Sequence, residues 1–255
     1  MATPALPLMT FASFAGVQHG VSTRAGGVSV GPYSSLNLGM SVGDEPDAVA
    51  ENKARLAGAL GFAADRMVTT PQVHGNGVLV VDRHTAPDAL QTRADILVTR
   101  EPGFLLMQRF ADCVPLLLWD EPAGVVGVAH AGWRGTVLDV AGRFVEAAAE
   151  LGGSPATLRA AIGPSIGPCC FEVGEEVVAQ FPDVGGACST GSRGRPHLDL
   201  WELNRRQFVA AGVPADRVEV AGACTRCQPE TFFSHRALGY PAGRFGAAIG
   251  LPGRG

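Results

Sequence analysis

Four apolar runs of strand length crowd one stretch of the chain: Ile96 to Thr99, Phe104 to Met107, Val114 to Trp119 and Val125 to Ala129. No helix-length segment separates them. Short apolar runs divided by turn residues read as strands. Further runs of the same kind are Val17 to Ser22, Val68 to Thr70, Val78 to Val81, Leu158 to Ile162, Val218 to Ala221 and Phe245 to Ile249. Helices are fewer. Asp44 is positioned to cap one from Pro46 to Leu60, with proline near its start and Gly61 just past its end. A second follows Thr136 as N-cap, with Asp139 three residues on as a capping-box variant. Its apolar face is Val137, Val140, Phe144, Ala148 and Leu151, and Gly152-Gly153 stops it. Glu175 to Phe181 and Leu200 to Ala211 also read as helical. Strands that adjoin without an intervening helix exclude a regular βαβ alternation. The expected class is α+β (mixed α/β), a mixed sheet system in one domain spanning residues 1–255.

Composition narrows the function. Hydrophobic residues make up 46% and charged residues 17%, enough for a sizeable core and against disorder. The net charge of −4 argues against nucleic acid or an anionic membrane as partner. Lys53 is the only lysine and has no Gly-rich loop beside it, so a Walker lysine is excluded. Anion recognition then rests on arginine, helix N-termini or backbone amides. No run of 18 or more residues is apolar throughout, so no membrane span is expected. Met1 to Pro7 has no basic n-region and carries two prolines, unlike a secretory signal. A cytoplasmic location follows as an expectation, with the six cysteines as thiols or metal ligands.

Several constellations are candidates for chemistry. His74 lies in a glycine-rich loop after a strand, Cys113 follows Asp112 between two strands, and His130 ends a strand. Imidazole and thiolate are usual zinc ligands, and three protein ligands leave a fourth position open. The three are far apart in sequence, and the bland alternative for each histidine is a hydrogen-bonded strand-end residue. Cys224-Thr225-Arg226-Cys227 is a C-x-x-C, a redox pair or half of a zinc knuckle, though a thioredoxin-like motif should open a helix and Gln228-Pro229 follows at once. A zinc knuckle needs a second pair, and Cys169-Cys170 has the wrong spacing, so a structural role is favoured. Gly163-Pro164-Ser165-Ile166-Gly167 matches the nucleophile elbow formally. Pro168 makes a poor helix start, so it reads as a tight turn. Arg24 and Arg134 stand beside glycines, Arg134 just before a helix N-terminus where anions bind.

At these positions the sequence resembles a known family. Thr70-Pro71-Gln72-Val73-His74-Gly75, Ala111-Asp112-Cys113-Val114-Pro115, Val128 to Thr136 and Ala161 to Val173 are similar to the signature blocks of the YfiH-type laccase-domain family. So are His19 to Gly27, Ser35-Leu36-Asn37-Leu38-Gly39 and the tail from Cys224 to Gly246. The blocks run in the family's order over nearly the whole chain. The resemblance implies a β-sandwich flanked by helices with a surface pocket, and a metal held by His74, Cys113 and His130. It implies zinc, with copper as the alternative ion. The implied activity is phosphorolysis of adenosine, inosine and methylthioadenosine, with adenosine deamination beside it. Polyphenol oxidation and editing of peptidoglycan precursors are the alternative activities. Two departures stand out: Ser41 where many relatives have His, and Phe110, preceded by Arg109, where many have Thr.

The expected site therefore has Cys113, His74, His130 and Asp112 as catalytic residues, Asp112 as the proton-transfer candidate. Arg24, Asn37, Gln72 and Arg134 are expected to bind substrate. The partners are a small nucleoside and phosphate, and the chain is expected to be a monomer. A designed multicopper oxidase needs a histidine-rich trinuclear cluster, and six histidines, four of them scattered, do not supply one. A thiol hydrolase with Cys113 as nucleophile and His130 or His74 as base uses the same three residues.

Overall fold

The crowded strands pair in two sheets whose facing sides make the centre of the molecule. The computed structural model describes residues 6–84 and 91–253. Residues 1–5, which carry most of the reading against a leader peptide, lie outside the described residues. Along the chain come β1 (Leu8–Met9), β2 (Gln18–Ser22), α1 (Pro46–Ala59), β3 (Met67–Val68), β4 (Val78–Val80), β5 (Ile96–Thr99) and β6 (Leu105–Phe110). Then follow β7 (Val114–Asp120), β8 (Val125–Ala131), α2 (Trp133–Val137), α3 (Val140–Glu150), β9 (Arg159–Ile162), α4 (Glu175–Val178) and β10 (Cys188–Thr190). The chain closes with β11 (Pro196–Leu198), α5 (Leu200–Ala210), β12 (Val218–Val220), α6 (His235–Leu238) and β13 (Phe245–Gly250).

One sheet has five strands in the order β1-β2-β13-β6-β3 and the other six in the order β12-β9-β7-β8-β5-β4. Both mix parallel and antiparallel pairs. Alternation along the strands sorts the core. In the six-stranded sheet Ile96, Val98, Leu116 and Leu118 face one way, onto Phe144 of α3 and Phe208 of α5. Leu97, Leu117, Val126 and Val128 face the other way, onto Val21, Leu106, Phe110, Phe245 and Ile249 of the five-stranded sheet. The outer side of that second sheet, with Leu105, Met107 and Ala248, is covered by Leu56 and Leu60 of the α1 region. The result is four layers, helix–sheet–sheet–helix. A strand buried on both faces reads as a continuous apolar run, which is why β5, β7 and β8 carry no polar alternation.

Two local readings change. The helix expected after Thr136 begins earlier, at Trp133, and breaks. Asp139, in the left-handed region at φ 55°, caps α3 by accepting from the Gly142 amide, while the Thr136 hydroxyl donates to the Gly132 carbonyl. Asp44 does not cap α1: Glu45 is the N-cap residue and makes no side-chain cap. The Asp44 carboxylate instead accepts from Ser29 and Asn37. The short hairpin β10–β11 had no periodic signal. Among the described residues no helix is long and apolar enough to cross a membrane.

Candidate metal centre and its pocket

Strand pairing brings the ligands together. In the β7–β8 ladder Pro115 lies opposite His130 and Val114 opposite Ala131, so Cys113, one residue before β7, meets the end of β8. The loop carrying His74 folds onto the same point because it wraps a buried carboxylate. The amides of Val73, His74 and Gly75 all donate to Asp95, at 3.0, 3.0 and 2.9 Å. His74 itself sits at φ 61°, and Asp112, next to Cys113, at φ 92°. Such backbone is costly for residues other than glycine and gathers at functional sites.

The donor atoms of His74, Cys113 and His130 lie within 4.8 Å of one another. His130 Nδ1 is 2.8 Å from Asp95 Oδ1, which leaves Nε2 for the centre. A carboxylate behind a ligating imidazole fixes its tautomer and raises its basicity. The rings of His74 and His130 meet edge-on at 4.8 Å, and Phe110 packs 5.5 Å from His130. Gly132 closes the cradle: a Cβ there would stand 3.0 Å from His74 Cδ2 and 3.2 Å from Cys113 Sγ. Two imidazoles, one thiolate and a carboxylate behind the buried ligand fit a zinc ion with an open fourth position.

The electrostatics agree with a thiolate ligand. Burial by itself pushes the Cys113 thiol up, but the His130 charge and hydrogen bonds from His130 and His74 outweigh it and bring it down to about 6. Burial disfavours a charged His130, yet the Cys113 charge and the bond to Asp95 raise it to about 9. Asp95 is held below its ordinary value: burial opposes this, and the bond to His130 and the loop amides prevail.

The centre opens into a cavity of about 510 Å³ lined by Gln72, His74, Asp112, Cys113 and His130 with Arg109, Arg236 and Arg244. That size suits a small-molecule ligand. Of the four residues expected to bind substrate, Gln72 lines the cavity and exchanges hydrogen bonds with the Arg109 backbone and side chain. The other three are not among the residues lining it. Arg24 donates to the Ser34 and Pro229 carbonyls and covers the Phe233 ring. Asn37 is fully buried, bonded to Gly39, Asp44 and the Arg244 amide. Arg134 is exposed and lies over Trp133. Asp112 lines the cavity, but its carboxylate is a clamp: Oδ1 accepts from Thr225 and Ser234, and Oδ2 from the Arg236 amide, at 2.6 to 2.7 Å.

Sequence reasoning missed Asp95, Arg236 and Arg244. Asp95 carries one legible signal, an acid directly before an apolar strand. The two arginines carry none. Burial and then the nearby Arg244 charge lower Arg109 to about 10. Burial lowers Arg244 as well, against the opposing charges of Cys113 and Asp112. The C-x-x-C reading also changes: the sulfurs of Cys169, Cys170, Cys224 and Cys227 converge within 4.8 Å. The spacing that disqualified Cys169-Cys170 is made good by the fold.

The fold and site define a helix-flanked pair of mixed sheets with a His-Cys-His cluster, able to hold a metal ion, at its strand ends. The chain belongs to the family described as multi-copper polyphenol oxidoreductase laccase, whose model matches residues 18–252. A Deinococcus radiodurans protein named purine nucleoside phosphorylase is 48% identical, covering 100% of this chain and 96% of its own length. The Geobacillus stearothermophilus protein named purine nucleoside phosphorylase YlmD is 41% identical, over 93% of this chain and 91% of its own. A crystal structure of that YlmD superposes with a TM-score of 0.90, covering 99% of this chain and 98% of that one. A Bacillus licheniformis protein, YfiH, matches at 0.92 and 34% identity over 98% of each chain.

Proposed function

We propose that the chain is a metal-dependent purine nucleoside phosphorylase acting on adenosine, inosine and methylthioadenosine, with phosphate as co-substrate. One observation carries this reading: the His74–Cys113–His130 centre and the Arg109–Arg236–Arg244 group share one cavity. Phosphorolysis breaks the bond between ribose C1′ and the purine nitrogen and forms one from C1′ to a phosphate oxygen. The base leaves with a proton. The arginines suit the phosphate, since a bound anion offsets both the partial burial and the mutual repulsion of Arg109 and Arg244. Asp112 positions Arg236 by holding its amide, and Gln72 positions Arg109. Zinc, when bound, polarises the group at its open position. The names of the Deinococcus and Geobacillus relatives support the same reaction class. The His-Cys-His set lacks the histidine-rich cluster of a multicopper oxidase, so oxidation of phenols is a minor side activity in this reading. Adenosine deamination fits the same centre, since an ion held by His74, Cys113 and His130 would be able to activate water toward a purine C6.

The test is free base released from each nucleoside, with and without phosphate, chelator and added zinc. Phosphate-dependent release that is lost together with metal in Cys113→Ala is expected. Full activity in metal-free Cys113→Ala, or release indifferent to phosphate, overturns the reading. A second reading has one specific support: Cys113, His130 and Asp95 form a relay of the kind a thiol hydrolase uses. A burst of acylation by an amide substrate identifies that chemistry, and zinc-blocked alkylation of Cys113 counts against it.

A further inference from the structure

Four of the six cysteines meet at a point outside the cavity. Cys169 and Cys170 lie in the turn after β9, and Cys224 and Cys227 in the segment after β12. Their four sulfurs lie within 4.8 Å of one another. Cys227 Sγ is 3.4 Å from Cys170 and 3.7 Å from Cys169. In a tetrahedral zinc–thiolate site, with Zn–S about 2.3 Å, neighbouring sulfurs stand about 3.8 Å apart. The cluster is already gathered to that spacing. A polynuclear iron–sulfur cluster spreads its cysteines around several metals and needs a wider cage.

We propose that Cys169, Cys170, Cys224 and Cys227 hold a second metal ion, a zinc in a closed four-thiolate site separate from the pocket centre. Four protein ligands leave no open position, which marks a structural site in contrast to the three-ligand centre. Two of the four sulfurs accept from nearby donors. The Gly167 amide donates to Cys224 Sγ at 3.2 Å, and the Arg226 guanidinium to Cys170 Sγ at 3.5 Å. Gly167 is needed for this approach, since a Cβ there would stand 3.3 Å from Cys224 Cβ and 2.7 Å from Trp201.

The site also has a task. It ties together two segments that are distant in sequence, adding to the β9–β12 pairing and the Ser165–Cys224 bridge that already join them. Ser165 N donates to Ala223 O, and Thr225 N to Ser165 O. The first segment supplies Ile166 and Phe171 to the pocket wall, and the second leads to His235 and Arg236. The second also carries Thr225 and Ser234, which hold Asp112. An ion bound to all four sulfurs fixes one pocket wall against the other.

The experiment is metal analysis of untagged protein purified under reducing conditions. Two zinc equivalents per chain are expected, falling to one in Cys113→Ala and to one in Cys169→Ser/Cys227→Ser. Both substituted cysteines of the double variant are exposed, so the core is not disturbed. Cobalt exchange into Cys113→Ala provides a measurement on a chain with all four cysteines intact. The intense visible bands of a tetrahedral tetrathiolate are expected. A single equivalent in the wild type that vanishes in Cys113→Ala overturns the proposal. So does a cobalt-loaded Cys113→Ala without thiolate bands, or the four cysteines found as disulfides that zinc does not prevent.

Discussion

Asp95 shapes the pocket without lining it. It is fully buried, yet it accepts from three successive loop amides and from His130. Asp95→Asn keeps the shape but replaces one acceptor oxygen with a donor and removes the charge behind His130. Weakening of metal affinity by about 10–100-fold is expected, read by titration against a competing chelator. Unchanged affinity would mean that packing alone orients His130. Cys113 makes a second prediction. Its pKa is depressed to about 6, so the thiolate is present above that pH and lost below it. In metal-stripped protein, iodoacetamide labelling of Cys113, followed residue by residue by mass spectrometry, should stay fast from pH 9 down to near 6 and fall below. An ordinary thiol, near about 8.5, would already be slowing at pH 8. A midpoint there would remove the His130 charge from the account.

Among the elements, β8 is packed with little room to spare. It is buried on both faces, and Gly127 lies under the ring of Phe144 from α3. A Cβ at Gly127 would stand 2.4 Å from Phe144 Cε2 and 2.9 Å from the Leu97 carbonyl. The second contact is backbone of the paired strand β5 and cannot rotate away. Gly127→Ala should therefore destabilise the chain by about 1–3 kcal/mol, as overpacking in a filled core does. Urea unfolding checks it, and an unchanged midpoint would mean that α3 is free to lift off the sheet. The apolar runs that form β5, β7 and β8 were legible because burial on both faces leaves an uninterrupted signal. The break between α2 and α3 was not, because Thr136 and Asp139 both have capping chemistry. Which one caps depends on the turn that Gly132 and His130 impose.

On the scale of the whole molecule, the arginine group is the feature that no segment contains. Arg109 is the last residue but one of β6, Arg236 lies in α6, and Arg244 precedes β13. The β6–β13 pairing sets Arg109 opposite Gly246, and the Asp112 clamp draws in the Arg236 amide. Arg244→Gln should raise KM for phosphate about tenfold or more and leave KM for the nucleoside nearly unchanged, since one charge-assisted contact is worth about 1.5–3 kcal/mol. Initial-rate kinetics with each substrate varied in turn would check this. Equal loss for both substrates would move Arg244 from phosphate binding to general support of the wall.

The sequence alone determined what depends on near neighbours: the strand runs, the limits of α1 and α5, and the side-chain types in the blocks around His74, Cys113 and His130. It also placed Gln72 in the site. Only the tertiary structure decided that Arg24, Asn37 and Arg134 lie outside the cavity lining, that Arg236 and Arg244 line it, and that Asp95 stands behind His130. The same is true of the four cysteines, whose meeting the spacing of Cys169 and Cys170 had argued against. Periodicity and capping are short-range effects, set by the residues within a turn or two. Which distant side chains meet is set by sheet order and register, and those follow from burying both faces of two sheets at once.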